Sequence, residues 1–213
     1  MKITKIGHCC LLIEIDGKRL LTDPGNFSTA QDKLENIDAV LITHEHPDHL
    51  HMDSLKNILA LNPHTAVVSN TVVGKLLDAE HISYQKVEHG DCVEVVGITV
   101  EGFGTIHAVI YSSLPPMTNT GYFIGGTLFY PGDALTIPEK TVKVLALPVA
   151  GPWIKISEAI DYAKEIHPTS CFPVHDAVVA PSALGFYHGS VGRIVEAEGI
   201  EFKPLAAGET IEY

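Results

Sequence analysis

Thr43-His44-Glu45-His46-Pro47-Asp48-His49-Leu50 is the stretch on which the reading of this chain turns. It follows Ala39-Val40-Leu41-Ile42, a continuously apolar and largely β-branched run that predicts a strand buried on both faces. Beyond it Leu50, Leu55, Ile58, Leu59 and Leu61 keep a helical spacing until Asn62-Pro63 stops it, so Asp48 and His49 are expected in the first turn of a helix. His44 and His46, two apart in extended chain, project the same way. One strand-to-helix junction thus offers four ligand-type side chains to two neighbouring points in space. A shuffled chain with the same His and Asp content would contain H-x-H-x-D-H in roughly 0.2% of cases, so a chance run of surface histidines is a poor account of it.

Working outward, Ile3 to Ile15 is strand-forming, Asp16-Gly17 is a hairpin signal, and Lys18 to Thr22 returns as a strand. Downstream, strand-like Ala66 to Ser69 precedes helical Val72 to Glu80, with a short strand at Tyr84 to Val87. After Gly90 the pattern is dominantly β, including Tyr122 to Ile124 and Thr127 to Tyr130. The last third alternates again: strand Val144 to Leu147, helix Ser157 to Ile166 closed by His167-Pro168, strand Ser170 to Val174, and a helix near Gly189 to Glu198. Two blocks of strands, each with following helices, predict an α/β fold of two face-to-face sheets with helices outside, a four-layered αββα sandwich. With no linker or low-complexity tract in 213 residues, residues 1–213 are read as one domain.

A net charge of −12 argues against the basic footprint of a nucleic-acid binder. No apolar run approaches the ~18 residues of a membrane span, and Met1-Lys2-Ile3-Thr4-Lys5-Ile6 enters strand sequence without a signal-peptide core, which leads to the expectation of a soluble, cytoplasmic protein. Cys9, Cys10, Cys92 and Cys171 lack CxxC spacing; they are expected as small buried hydrophobes, with Cys9 and Cys10 on opposite faces of a strand.

H-x-H-x-D-H after an apolar strand resembles the signature of the metallo-β-lactamase superfamily, and the resemblance extends along essentially the whole chain. His107 in Gly104-Thr105-Ile106-His107 is similar to the family's next metal-binding histidine, Asp133 in Pro131-Gly132-Asp133 to its bridging aspartate, and His175 in Pro173-Val174-His175-Asp176 to its last histidine. The resemblance implies that His44, His46 and His107 hold one ion, that Asp48, His49 and His175 hold the other, and that Asp133 bridges them. The metallo-β-lactamase fold and two divalent cations follow, zinc first, with manganese, iron or nickel also suited to imidazole and carboxylate donors. Gly7-His8-Cys9-Cys10, Leu21-Thr22-Asp23-Pro24 and Leu147-Pro148-Val149 resemble the ascorbate-6-phosphate lactonase branch. Asp133 stands where the commonest metallo-β-lactamases carry a cysteine, which argues against antibiotic hydrolysis as the main task.

Ions ~3.5–4 Å apart that share a water can bring its pKa from 15.7 to about 7, on the order of 12 kcal/mol of help toward hydroxide, so no serine or cysteine nucleophile is needed. The resemblance implies a metal-dependent hydrolase in which a metal-bridging hydroxide attacks a small-molecule ester, lactone or phosphoester. A closed structural zinc site would be rich in cysteine and is disfavoured. Three residues join the metal set as catalytic candidates: Asp48; His8, for substrate contact or proton transfer; and Asp23, which either accepts a hydrogen bond from a ligand histidine or is a plain turn residue before Pro24. His51 is expected on the far face of its helix. His64, His81, His89 and His167 read as solvated or capping groups, and His188 lies in a C-terminal loop that could reach the site. Ser112 to Asn119 and Gly151-Pro152-Trp153 are candidate substrate loops, the latter an aromatic wall.

The alternative is a nuclease or phosphodiesterase acting on RNA or DNA, which shares the metal motif but would need basic surface that Lys+Arg 14 against Asp+Glu 26 does not provide. An iron redox enzyme would need a fused flavin domain, and a non-catalytic scaffold would not need all seven ligands. The partners expected are a small-molecule substrate, no membrane and no nucleic acid, with a homo-oligomer left open.

Overall fold

The apolar run that introduces the histidine-rich segment lies inside a seven-stranded mixed sheet in the computed structural model, which describes residues 1–213. The strands are β1 (Lys2–Gly7), β2 (Cys10–Ile15), β3 (Lys18–Thr22), β4 (Ala39–Ile42), β5 (Ala66–Ser69), β6 (Gln85–Lys86), β7 (Cys92–Val95), β8 (Ile98–Phe103), β9 (Gly121–Ile124), β10 (Leu128–Tyr130), β11 (Val144–Pro148), β12 (Ser170–Val174), β13 (Glu201–Phe202) and β14 (Thr210–Glu212). The helices are α1 (Met52–Leu61), α2 (Thr71–Ala79), α3 (Ile156–Ile166) and α4 (Pro181–Ala197). One sheet runs β14-β1-β2-β3-β4-β5-β6, the other β13-β12-β11-β10-β9-β8-β7. In each, antiparallel pairing at one end gives way to parallel pairing at the other.

Strand alternation decides the layers. Ile3, Leu11, Ile13, Leu20 and Leu41 face Val100, Tyr122, Ile124, Tyr130 and Phe172 across the space between the sheets, in a cluster of 21 buried residues. The opposite faces carry a second set: Val40, Ile42 and Val67 pack on Leu55, Ile58, Val73 and Leu77 of α1 and α2. Phe129, Leu145, Leu147 and Cys171 pack on α3 and α4 through Ala159, Ile160, Ala163, Val191 and Val195. The layers are helix, sheet, sheet, helix, as the αββα expectation has it. No helix is long and apolar enough to cross a membrane.

Several expectations change. The run Ile3 to Ile15 divides at His8, whose φ of 49° turns the chain between β1 and β2. Helix α1 begins at Met52 rather than at Asp48, because the backbone before it is tied to its neighbours: Asn26 N–H donates to Pro47 O at 2.8 Å and His51 N–H to Pro24 O at 3.1 Å. His51 is therefore the N-cap residue, with Nδ1 3.0 Å from Ser54 Oγ, not a side chain on the helix's far face. Helix α4 starts at Pro181, eight residues earlier than its periodicity suggested, so His188 is helical and not in a loop. Cys92 is exposed on β7, the edge strand of its sheet, whereas the other three cysteines are buried; Cys9 and Cys10 do face opposite layers.

Candidate metal centre

The loops that leave β3, β4, β10 and β12 at their C-terminal ends carry Asp23, the His44–His49 segment, Asp133 and His175, so the sandwich gathers them at one end. His107 arrives from the irregular segment between β8 and β9. All seven metal-ligand candidates come together. One atom each of His44, His46, His107 and Asp133 lie within 4.8 Å of one another. Asp48 Oδ2 is 3.8 Å from His49 Nε2 and 3.6 Å from His175 Nε2, while Asp133 approaches the same two nitrogens at 3.1 and 2.9 Å. Donors at ~2.0–2.2 Å around one zinc lie roughly 3.4 Å apart, so these separations suit shared cations, with Asp133 common to both groups.

Hydrogen bonds dictate which nitrogen faces the centre. His49 Nδ1 donates to Asp23 Oδ2 at 2.7 Å and His107 Nδ1 to Ala108 O at 2.6 Å, leaving both Nε2 lone pairs inward. Thr43 Oγ1 donates to Asp23 Oδ2 at 2.7 Å and accepts from His44 Nδ1 at 2.9 Å, so His44 also presents Nε2 inward, 3.1 Å from His46 Nδ1. Buried Asp23 accepts in addition from Thr43 N–H at 2.8 Å and Tyr130 Oη at 2.6 Å. Of its two readings, the ligand-orienting contact is the one the geometry displays.

The metal fits on an observation internal to the chain. Buried His49 Nε2, His107 Nε2, His175 Nε2 and Asp133 Oδ1 have no hydrogen-bond partner, and orphaned buried polar atoms cost ~1–3 kcal/mol each unless something satisfies them. Protonation without metal is correspondingly divided. Burial and the neighbouring His49 hold His44 well below the usual imidazole range. Burial opposes charge on His49 too, but Asp133, Cys9 and Asp23 raise it well above that range, and His175 is raised by Cys9 and Asp133. Burial works against ionisation of Asp133, yet His49 and His175 keep its carboxyl well below the ordinary value.

His8 Nε2 lies 3.2 Å from Asp48 Oδ2, and its ring centroid is 4.2 Å from that of His175. Despite burial, Cys9 and Asp48 bring His8 up to about 9, and Asp48, opposed by burial but held by His8, falls to about 2. Trp153 is not an open aromatic wall: it is buried, and its Nε1 donates to Asp133 Oδ2 at 2.8 Å. His188 stands behind the centre, its Nε2 3.0 Å from Asp176 Oδ2, whose Oδ1 takes the buried Lys5 ammonium at 2.6 Å.

Cys9 is the residue that sequence reasoning passed over. Its Sγ joins ligand atoms of His8, His49 and His175 within 4.8 Å of one another. Burial raises its thiol, but the His8, His49 and His175 imidazoles outweigh it and bring it to about 6. The only signal was its adjacency to His8 on the inward face of the alternation.

A β-lactamase superfamily domain model matches residues 2–175, and the chain belongs to the metallo-β-lactamase superfamily. Within it the chain is 31% identical, over 100% of both sequences, to a UPF0173 metal-dependent hydrolase of Flavobacterium johnsoniae, which places it in that family. It is 37% identical, again over 100% of both sequences, to Protein Rv0786c of Mycobacterium tuberculosis. Among solved structures, Igni18, a metallo hydrolase from Ignicoccus hospitalis, superposes with a TM-score of 0.78 at 23% identity over 100% of this chain and 98% of that one, a likeness of fold.

Proposed function

We propose that this metal-dependent hydrolase of the metallo-β-lactamase superfamily binds two divalent cations, zinc first, and cleaves a small-molecule ester, lactone or phosphoester. The observation that carries the reading is the convergence of His44, His46 and His107 on one side of Asp133, and of Asp48, His49 and His175 on the other, with Nε2 of His49, His107 and His175 left unpartnered. A bound pair of such ions supplies hydroxide near neutral pH and a Lewis acid for the substrate oxygen.

The chain's own residues then orient, hold and move protons. Asp23 and Thr43 keep Nε2 of His44 and His49 free of protons toward the centre. Trp153 steadies Asp133, and Asn119 Oδ1 accepts from the Asp133 N–H at 3.0 Å. His46 and Asp48 are the ligand candidates with solvent exposure, so substrate approaches from their side. His8, bound to Asp48, is placed to deliver a proton to the leaving oxygen. A lactone substrate accords with the likeness of residues 7–10, 21–24 and 147–149 to the ascorbate-6-phosphate lactonase branch, and the excess of acidic residues disfavours a nucleic-acid polyanion.

The test is elemental analysis of the purified protein together with hydrolysis of a panel of esters, lactones and phosphodiesters before and after chelation. About two ions per chain and turnover that disappears on chelation and returns with metal are expected. Protein that stays inert after reconstitution with zinc, manganese, iron or nickel overturns the reading.

A further inference from the structure

Residues 104–120 join β8 to β9 without regular secondary structure, longer than most connections in compact domains, and ordered loops of that length are usually functional. This one is held at its base: His107 N–H donates to Met117 O at 2.9 Å, and Ala108 N–H to Asp133 O at 2.8 Å. Both anchors are made by, or adjoin, metal-ligand candidates. Between them the loop turns apolar side chains outward, with Val109 71%, Tyr111 67%, Ile106 59% and Leu114 53% exposed. Five of the 12 large hydrophobics exposed in the whole molecule fall between Ile106 and Leu114, so this is a patch and not scattered surface.

The loop forms a half-open cavity of about 340 Å³, lined by Ile106, Val109, Ile110, Leu114 and Met117 and by His107 itself. No Asp, Glu, Lys or Arg lines it, in a chain whose net charge is −12. The volume stands at the small end of ligand sites, roughly 300–1,000 Å³, and suits one arm of a molecule.

We infer that this cavity is a binding site for an aliphatic acyl arm of the substrate, which seats its scissile carbonyl against the metal centre through the shared residue His107. The inference rests on the hydrolase reading above and names the chemistry of its substrate. An aliphatic chain fits because nothing in the lining pairs with a charge, and His107 belongs both to that lining and to the ligand cluster.

Two measurements on the metal-loaded protein test it. In the first, methyl-labelled methionine is observed by NMR during titration with octanoate and with acetate. The chain has three methionines, and the Met117 methyl resonance should shift saturably with octanoate but not with acetate, while Met52 stays still. In the variant Val109→Asn/Leu114→Asn, whose changes lie on exposed positions, the shift should vanish with metal content unchanged. In the second, kcat/KM for p-nitrophenyl esters from acetate to octanoate should rise about fourfold per added methylene, the equivalent of ~0.8 kcal/mol each, and the series should flatten in the variant. A Met117 resonance indifferent to octanoate, or shifted equally in the variant, overturns the site. So does a silent Met117 in protein that co-sediments with phosphatidylcholine vesicles, which would make the loop a lipid-surface contact. Loaded protein that binds octanoate at Met117 yet turns over nothing in the panel would sink the hydrolase reading and leave the acyl site standing.

Discussion

Asp23 touches both halves of the metal centre, holding His49 directly and His44 through the Thr43 hydroxyl. Replacement by Asn keeps the size but puts an amide NH2 where one carboxylate oxygen stood: at the Oδ2 position it faces the donors Thr43 Oγ1, His49 Nδ1 and Tyr130 Oη, and at the Oδ1 position it faces the Thr43 N–H, so one set of donors loses its acceptor either way. Asp23→Asn should weaken metal binding by about 10–100-fold, as loss of a ligand-orienting partner typically does, measured by competition with a chromophoric chelator. Unchanged affinity would return Asp23 to the status of a turn residue. His8 and Asp48 make a prediction of opposite pH sense. His8 is raised from 6.5 to about 9, so its part of the pairing energy is complete below pH 6.5 and lost as pH climbs through 9. Asp48 is lowered from 3.8 to about 2, so its part is complete above pH 3.8 and lost as pH falls through 2. In metal-free protein the melting-temperature difference between wild type and His8→Gln should therefore be largest between about pH 4 and 6.5 and shrink toward pH 9. A difference that grows with alkalinity contradicts the pairing.

At the scale of elements, the H-x-H-x-D-H segment works because the loop after β3 lies under it. Gly25 is the contact: a Cβ there would sit 1.8 Å from Asp48 O and 2.6 Å from His49 N, both backbone atoms. Gly25→Ala must push the ligand loop away, costing ~1–3 kcal/mol of stability as overpacking does and lowering metal occupancy, which urea unfolding and elemental analysis would register together. A variant with full occupancy and unchanged stability would show that the loop moves freely. The same packing explains why sequence periodicity misplaced the start of α1. Leu50 and Leu55 are both buried, but Pro47 and the links from Asn26 N–H and to Pro24 O hold residues 47–49 in a turn and leave His51 extended. The beginning of α4 was hidden differently: Gly185, Gly189 and Gly192 dilute its apolar period, although Pro181 at its first turn is a helix-start signal. Gly192 is needed there because a Cβ would meet Phe202 at 2.9 Å.

At the scale of the whole molecule, metal and fold are linked, because ions bound by the folded centre and not by the unfolded chain stabilise the former. Chelation should lower the melting temperature, and loading the metal-free chain with zinc as a probe near pH 7 should release protons, since His49 and His175 are raised in the metal-free chain and must be neutral to serve as ligands. Calorimetry in buffers of different ionisation enthalpy measures that release; zinc binding without it would mean that those imidazoles are not ligands. The αββα layering and the four ligand-type positions of the H-x-H-x-D-H segment were legible in the sequence because local signals carry them: period-two and period-3.6 apolar patterns, and a histidine motif dense enough to stand above composition; His107, Asp133 and His175 carry no such local signal and were reached only through the resemblance to the metallo-β-lactamase superfamily. Only the tertiary structure decided that Cys9 borders the second ligand group, that Trp153 is spent on Asp133, that one buried carboxylate orients histidines of both groups, and that an uncharged cavity opens beside His107. Each of these depends on contacts between segments distant in sequence, whose distances are determined by the packing of the two sheets and leave no periodic trace along the chain.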